Sequence, residues 1–351
     1  MDNKKITVYQ ISMTYIGTVI GAGFASGQEI LQFFVKFGIK GFYGILVSTI
    51  MFIIFGKIIM SLGKKLNSSS HQSIIRYVGG DVIGPLLDCS ITIFLFMTLT
   101  AMIAGTGALL HQQFDLSYLW GNLLMTVITA ITVISGIHGI ILSISIAMPL
   151  LIISIIVMGV ISLLTANPDL TFTIIDIGKS SYIENWALAA LLYSAYNITL
   201  STAVLGPLGA EAKRDKSIKW GAVWGGLGLG MGSLIIFMIL FTDISGISNL
   251  EIPMIYIAGK ISWQIKWVYC IVLIIAVYTT AVGNLFGISA RFKEIKGLNF
   301  KSSKAVLLTS IAAFVSGYFG FKNLVMYIYP LSGFVGIVFI GCIICKLITK
   351  N

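Results

Sequence analysis

Apolar residues run along this chain in long stretches, without the strict alternation of half-buried strands or the narrow stripe of surface helices. A hydrocarbon core of ~30 Å is crossed by ~20 helical residues rising ~1.5 Å each. Ten stretches reach or approach that length: 7–35, 40–62, 83–112, 119–136, 139–165, 185–209, 217–242, 264–291, 303–320 and 323–347. An eleventh, 251–261, is too short to cross and reads as a re-entrant or surface helix outside the membrane. What remains suffices for connecting loops. The pattern predicts an all-α polytopic membrane protein with about ten transmembrane helices, a single transmembrane domain over residues 1–351.

Composition narrows the class. Hydrophobic residues make up 57% of the chain and charged residues 10%, against ~25% charged in soluble domains. A cytosolic enzyme, a nucleic-acid-binding module and a disordered tail are all excluded. The net charge of +10 raises the question of a polyanionic partner, which the placement of the basic residues answers. With the N-terminus in the cytoplasm, 17 of the 23 Lys and Arg fall on the cytoplasmic side and 6 (Lys36, Lys40, Lys179, Lys260, Lys266, Lys322) outside. That asymmetry puts both termini inside and requires an even number of spans in the cell membrane. The basic loops are then topology signals facing an anionic leaflet, and the partners expected are the bilayer and a small molecule, with no nucleic acid. The chain would act as a monomer or homodimer. Trp120, Trp186, Trp263 and Trp267 lie near the outer ends, as interface anchors do. Lys4 and Lys5 precede an apolar stretch that continues through Phe34, too long for a signal peptide, so it reads as a retained first span. Cys89, Cys270, Cys342 and Cys345 sit in apolar runs, where a thiol behaves as a small hydrophobe.

Polar residues inside apolar spans carry the chemistry. In the first segment, Gly17, Gly21, Gly23 and Gly27 fall within eleven residues, followed by Gln28 and Glu29. Each glycine disfavours a helix by ~1 kcal/mol against alanine. Unwound backbone is tolerated at membrane depth only where protein buries it or it lines a cavity. Two half-helices meeting there would offer N–H groups to an anion and carbonyls to a cation. Helix packing on small residues explains the glycines alone, but leaves Ser26, Gln28 and Glu29 without a role. A second polar centre, from Tyr193 to Thr202 in the sixth segment, lies about 170 residues on. An inverted repeat should open its second half with a matching interruption. The expected organisation is therefore five plus five helices, repeat one over about 7–165 and repeat two over about 185–347, with helices 1 and 6 broken.

The sequence Gly-Thr-Val-Ile-Gly-Ala-Gly (17–23) resembles the opening helix of the amino acid–polyamine–organocation (APC) superfamily, whose members share the LeuT fold. The longer run through Phe24-Ala25-Ser26-Gly27-Gln28-Glu29 looks like the YkvI-type family of bacterial membrane proteins, and Glu211-Ala212-Lys213-Arg214 is similar to the close of the sixth helix in amino acid permeases. The resemblance implies a secondary transporter, not an enzyme. It would be a sodium-coupled symporter of a small organic solute, an amino acid or related compound, moved by alternating access. Segments 1, 2, 6 and 7 would rock against 3, 4, 8 and 9. The solute's carboxylate would meet backbone N–H groups around Thr18, Gly21, Ala22 and Gly23. Its other end would lie among Phe24, Phe94, Met97, Thr98, Tyr193, Tyr196 and Asn197. No cofactor is expected beyond Na+ as coupling ion, held by the carbonyls of Gly17, Ile20 and Ala276 and the hydroxyls of Thr279 and Thr280. Five neutral oxygens suit a weakly held monovalent cation, whereas a divalent one prefers carboxylates. Glu29 and Asp88 are the intramembrane carboxylates that could gate the site or carry a proton. A proton-coupled transporter of the same fold and a solute sensor that does not transport are the alternatives.

Overall fold

The computed structural model describes residues 6–165, 185–212, 214–247, 250, 252–293, 302–319 and 321–349. Lys4, Lys5, Lys179, Lys213, Lys296, Lys301 and Lys350, counted above for orientation, lie outside the described residues, as does Glu251. The described residues form helices joined by short turns.

The first span is articulated. Helix α1 (Val8–Val19) starts at a capping box: the Thr7 hydroxyl accepts from the Gln10 N–H at 3.2 Å, and the Gln10 side chain accepts from the Thr7 N–H at 3.0 Å. It stops where Ile20 turns to an extended ψ of 101°. A single turn, α2 (Ala22–Ala25), follows. Gly27 then takes a left-handed φ of 82°, which an L side chain disfavours, and starts α3 (Gln28–Phe33). The interruption expected from the glycines is present.

The remaining spans are α4 (Ile39–Leu66), α5 (His71–Phe114), α6 (Tyr118–Ile134), α7 (Gly136–Thr165), α8 (Trp186–Glu211) and α9 (Asp215–Phe241). After a turn, α10 (Ile244–Ile247), and the short α11 (Pro253–Ile261) come α12 (Trp263–Lys293), α13 (Ser302–Ser316) and α14 (Phe321–Ile348). Seven helices are long and apolar enough to cross a membrane, and α6 and α13 are shorter apolar helices. With the broken first span these are the ten segments expected. The α5 helix begins earlier than the apolar stretch from residue 83 suggests: a turn at Gly80 (φ 63°) joins a leading piece to the span proper.

Glycines set how closely the helices approach. A Cβ on Gly63 of α4 would lie 2.1 Å from the Gly206 carbonyl oxygen of α8, and one on Gly209 of α8 would lie 2.0 Å from that of Met60. Along α9, Gly221, Gly225 and Gly228 receive Ile11, Tyr15 and Ile16 of α1. The Tyr15 hydroxyl, buried in that seam, donates to the Phe52 carbonyl of α4 at 2.8 Å. Thus α4 and α9 grip the first half of the broken span. From the far side, the Tyr269 hydroxyl of α12 donates to the Ala25 carbonyl at 2.6 Å. The Met254 N–H of α11 donates to the Ser26 carbonyl at 3.0 Å. The short apolar stretch therefore forms a cap over the broken helix.

Candidate functional site

The turns that break the first span deliver Glu29 to the bundle interior, where it is 5% exposed. Its Oε2 accepts a hydrogen bond from the Tyr196 hydroxyl of α8. Its Oε1 lies against Gly23, where an added Cβ would sit 2.1 Å from that oxygen. Glycine at 23 is what lets the carboxyl fold back onto the break. The Ser26 hydroxyl donates to the Gly23 carbonyl at 3.1 Å and accepts from the Gln28 N–H at 3.3 Å, holding the turn between them.

Aromatic rings cluster around Tyr196, the hydrogen-bond partner of this carboxyl. Tyr196 stacks on Tyr329 of α14 with centroids 5.3 Å apart and an interplanar angle of 15°. It also meets Phe33 at 5.9 Å and Tyr193 at 5.7 Å. Tyr193 packs edge-on to Phe34 at 4.9 Å and to Phe52 of α4 at 5.9 Å. The result is a cluster of four rings (Phe33, Tyr193, Tyr196, Tyr329), drawn from the first, sixth and tenth spans and joined to Glu29 through the Tyr196 hydroxyl. Such surroundings attract an organic cation twice, by the carboxylate and by the ring faces.

At the break itself, the Thr280 hydroxyl of α12 donates to the Ile20 carbonyl at 3.0 Å. The side chain of Thr280 lies against Gly21, and a Cβ there would come within 2.9 Å of its Oγ1. The helical partners of the Gly17, Thr18 and Val19 carbonyls would be the N–H groups of residues 21 to 23, which the turn at Ile20 takes out of register.

No protein-family model matches the chain. Over 350 residues it is 32% identical to the membrane protein YkvI of Bacillus subtilis (strain 168), covering 99% of this chain and 98% of that one. The chain belongs to the YkvI family. A second Bacillus subtilis (strain 168) protein, YyaD, is 30% identical over 329 residues, 94% of each chain. Both relatives are themselves uncharacterized. Among solved structures, MhsT in complex with L-phenylalanine aligns with a TM-score of 0.70 at 16% identity, over 96% of this chain and 89% of its own. A Na+-coupled sialic acid symporter aligns at 0.66 and 11% identity, over 92% of this chain and 75% of its own. Inward-facing Mhp1 aligns at 0.63 and 15% identity, over 94% and 75%. This YkvI-family chain thus has the LeuT transporter fold.

The expected site residues of this YkvI-family protein divide into those that meet and those that do not. Gly23 and Tyr196 meet at Glu29, with Tyr193 packed on Tyr196, and Ile20, Gly21 and Thr280 converge on one another. Ala22 lies in the single turn α2 between them. Gly17 packs against Ile144 and Met148 of α7, so close helix contact accounts for the absence of a side chain there. The Thr18 hydroxyl bonds back to the Thr14 carbonyl at 2.6 Å, and that of Thr279 to the Ala276 carbonyl at 2.9 Å. Phe24 turns to Gly232 of α9. Phe94 and Thr98 are buried in α5.

Two expectations are corrected. Helix 6 is not broken: α8 runs without interruption from Trp186 to Glu211. Three of its polar residues bond back within the helix, whereas the Thr199 and Tyr193 hydroxyls are buried without a hydrogen-bond partner among the described residues. Ser194 donates to the Ala190 carbonyl, Asn197 to that of Tyr193 and Thr202 to that of Ile198, at 2.8, 3.0 and 2.8 Å. The first glycine after them, Gly206, comes only beyond the polar centre. Met97 does not face the solute site. It is 37% exposed and lines an outward groove with Ile93, Phe96 and Leu308. Leu95 points inward at Gly287 of α12, and two residues further the helix has turned by ~200°.

Asp88 belongs to a separate cluster. Its carboxylate accepts from Arg291 Nε at 2.8 and 3.0 Å and pairs with the second guanidinium nitrogen at 2.7 Å. Gln72 donates to it at 3.3 Å, and His71 Nε2 lies 3.4 Å away. This network ties the start of α5 to the end of α12. Arg291→Gln would leave Asp88 buried without its cation and should cost ~3–5 kcal/mol of stability, read as a large fall in thermal midpoint in detergent. A midpoint within a degree of the parent would show that Gln72 and His71 suffice.

Phe33, Phe34 and Tyr329 were not anticipated. Phe33 had a signal, since it follows Glu29 by one helical turn and so shares its face. Tyr329 had none that separates it from an ordinary aromatic in an apolar span.

Proposed function

We propose that this protein is a secondary active transporter, a sodium-coupled symporter of a small organic solute of the amino acid type, working by alternating access. The observation that carries the reading is the Glu29 carboxyl, buried at the break of the first span and bonded to Tyr196. A carboxyl at membrane depth is costly and is retained where it serves a pathway or a ligand. The Glu29 carboxyl folds back from α3 onto Gly23, beside the break that carries the N–H groups of Gly21 to Gly23. An α-amino acid carries its ammonium and carboxylate one carbon apart. Its ammonium would pair with Glu29 while its carboxylate takes the N–H groups, and the two charges of the solute then meet two opposite charges of the site. The side chain would contact Tyr193, Tyr196 and Phe33. MhsT, described with L-phenylalanine bound, offers a parallel within the fold.

For the ion, the Ile20 carbonyl and the Thr280 hydroxyl are already neighbours at 3.0 Å. Turning the Thr279 and Thr280 hydroxyl protons away would present oxygen lone pairs to a Na+ shared with the Gly17, Ile20 and Ala276 carbonyls. The buried Glu29–Tyr196 bond favours one competing reading, in which Glu29 carries a proton instead. Uptake of labelled amino acids into proteoliposomes separates the two. A sodium gradient should drive accumulation, and Thr279→Ala combined with Thr280→Ala should remove the sodium dependence while costing no more than the ~1 kcal/mol of the Thr280–Ile20 bond in sodium-free buffer. Accumulation driven by a pH gradient and indifferent to the double change would replace the sodium reading with the proton one. Binding without accumulation under either gradient would make the protein a sensor.

A further inference from the structure

We propose that a pocket between α4, α5, α9 and α14 binds the headgroup of an anionic phospholipid. The cavity, about 700 Å³, carries Lys57 and Lys65 from α4, Lys219 from α9 and Lys346 from α14. Tyr77, from the leading piece of α5, lies among them. Lys65 Nζ is 5.7 Å and Lys346 Nζ 5.2 Å from the centroid of its ring, so cations from two helices share one aromatic ring. No Asp or Glu lines the pocket. Among the described residues none of these four lysines takes part in a salt bridge. Asp215, one helical turn before Lys219, is taken by Lys64 at 2.7 Å.

Of the four lysines that line the cavity, Lys65 and Lys346 bring their ammonium groups to the same tyrosine, while Lys219 Nζ lies 6.0 Å from the centroid of the Trp220 ring. Like charges collected beside hydrocarbon repel one another, and that repulsion is poorly screened. A phosphate removes it. The rest of the wall says which phosphate. Ile53, Ile54, Ile58, Ile343 and Leu347 line the same cavity. Inorganic phosphate would leave this apolar surface bare, whereas a phospholipid covers it with its acyl chains. Lys57 precedes Lys65 by eight residues, ~12 Å along the helix, so the basic groups extend from headgroup level down toward the glycerol. A choline headgroup would bring its own cation among the lysines. The fit is to a lipid with net negative charge, in line with basic pockets between transmembrane helices generally.

The position gives the site a consequence. Two of its walls, α4 and α9, are the helices that hold α1 through Gly56, Gly221 and Gly225. The other two, α5 and α14, carry Asp88 and Tyr329. A lipid seated there bridges the helices that grip the broken span and helices outside that grip.

The test uses the full-length protein in maltoside micelles, with phosphatidylglycerol, phosphatidylcholine or inorganic phosphate added separately. Phosphatidylglycerol should raise the thermal midpoint by several degrees and persist as a single adduct in native mass spectrometry, while the other two do neither. Lys65→Gln combined with Lys346→Gln should lose the shift and the adduct yet keep the parent's midpoint in phosphatidylcholine. Lys304→Gln, on α13 and outside the pocket, should keep both. Should the double variant not survive purification, Lys346→Gln alone carries the test and should lose at least half of the shift. An equal shift with phosphatidylcholine would overturn the proposal, and so would a shift that survives the double change. An equal effect of inorganic phosphate would overturn the lipid assignment and make this a soluble-anion site.

Discussion

Glu29→Gln should reduce solute accumulation in proteoliposomes by about 100-fold or more, the equivalent of losing a charge-assisted contact worth ~3 kcal/mol. Glutamine keeps the volume of the side chain, and its carbonyl can still accept from the Tyr196 hydroxyl, so the aromatic cluster around Tyr196 need not rearrange. What it lacks is the negative charge that pairs with a substrate ammonium or carries a proton. The folded protein should be as stable as the parent or more so, because a buried ionisable group has become neutral. The informative result is therefore a split: transport collapses while the thermal midpoint holds or rises. Transport within a few-fold of the parent would remove Glu29 from both substrate binding and coupling, leaving it as a structural partner of Tyr196.

The largest effect on stability is expected at the α4–α8 seam. An alanine at Gly209 would put its Cβ 2.0 Å from the Met60 carbonyl oxygen, and one at Gly63 would put it 2.1 Å from that of Gly206. Both obstacles are backbone, so no rotamer change relieves them. The two helices would have to part by about 1 Å or more, giving up the close packing on which helix association in lipid depends. Each change should cost ~3 kcal/mol or prevent folding altogether, seen as a much lower midpoint and loss of the monodisperse peak in size-exclusion chromatography. Gly341→Ala in α14, where nothing lies within 4 Å of the added carbon, is the matched control. It should be neutral or gain up to ~1 kcal/mol from helix propensity. Similar midpoints for Gly209→Ala and Gly341→Ala would mean that the seam is far softer than its geometry implies.

The sequence made the spans legible because the bilayer imposes one length and one polarity on every crossing segment. It also exposed the break in the first span, where helix-weakening glycines and polar residues coincide and no local bonding within a helix could satisfy Gln28 and Glu29. The same reasoning failed for the sixth span. Ser194, Asn197 and Thr202 look like an interruption in a hydropathy reading, but each can return its donor to a carbonyl of its own helix, and they do. Met97 was misplaced because sequence position along α5 does not fix the rotation of the helix; that is set by Leu95 seating on Gly287, 192 residues away. Arg291 pairs with Asp88 across 203 residues, a separation that leaves no local pattern to read.

Because α8 is unbroken, it and the first span are mechanically unlike. One is a jointed member with pivots at Ile20 and Gly27, and the other is a strut. The strut is pinned to α4 near its end, at Gly206 and Gly209. Tyr196 stands ten residues back from Gly206, ~15 Å along the axis. A tilt of about 10° about that pin swings the tyrosine through ~2.6 Å at this lever arm, more than enough to part its hydroxyl from Glu29. Such a rotation would have to slide Ala190 past Ser48 of α4 and Ala195 past Gly336 of α14, and it would be read out at the bundle centre as the breaking of a single hydrogen bond.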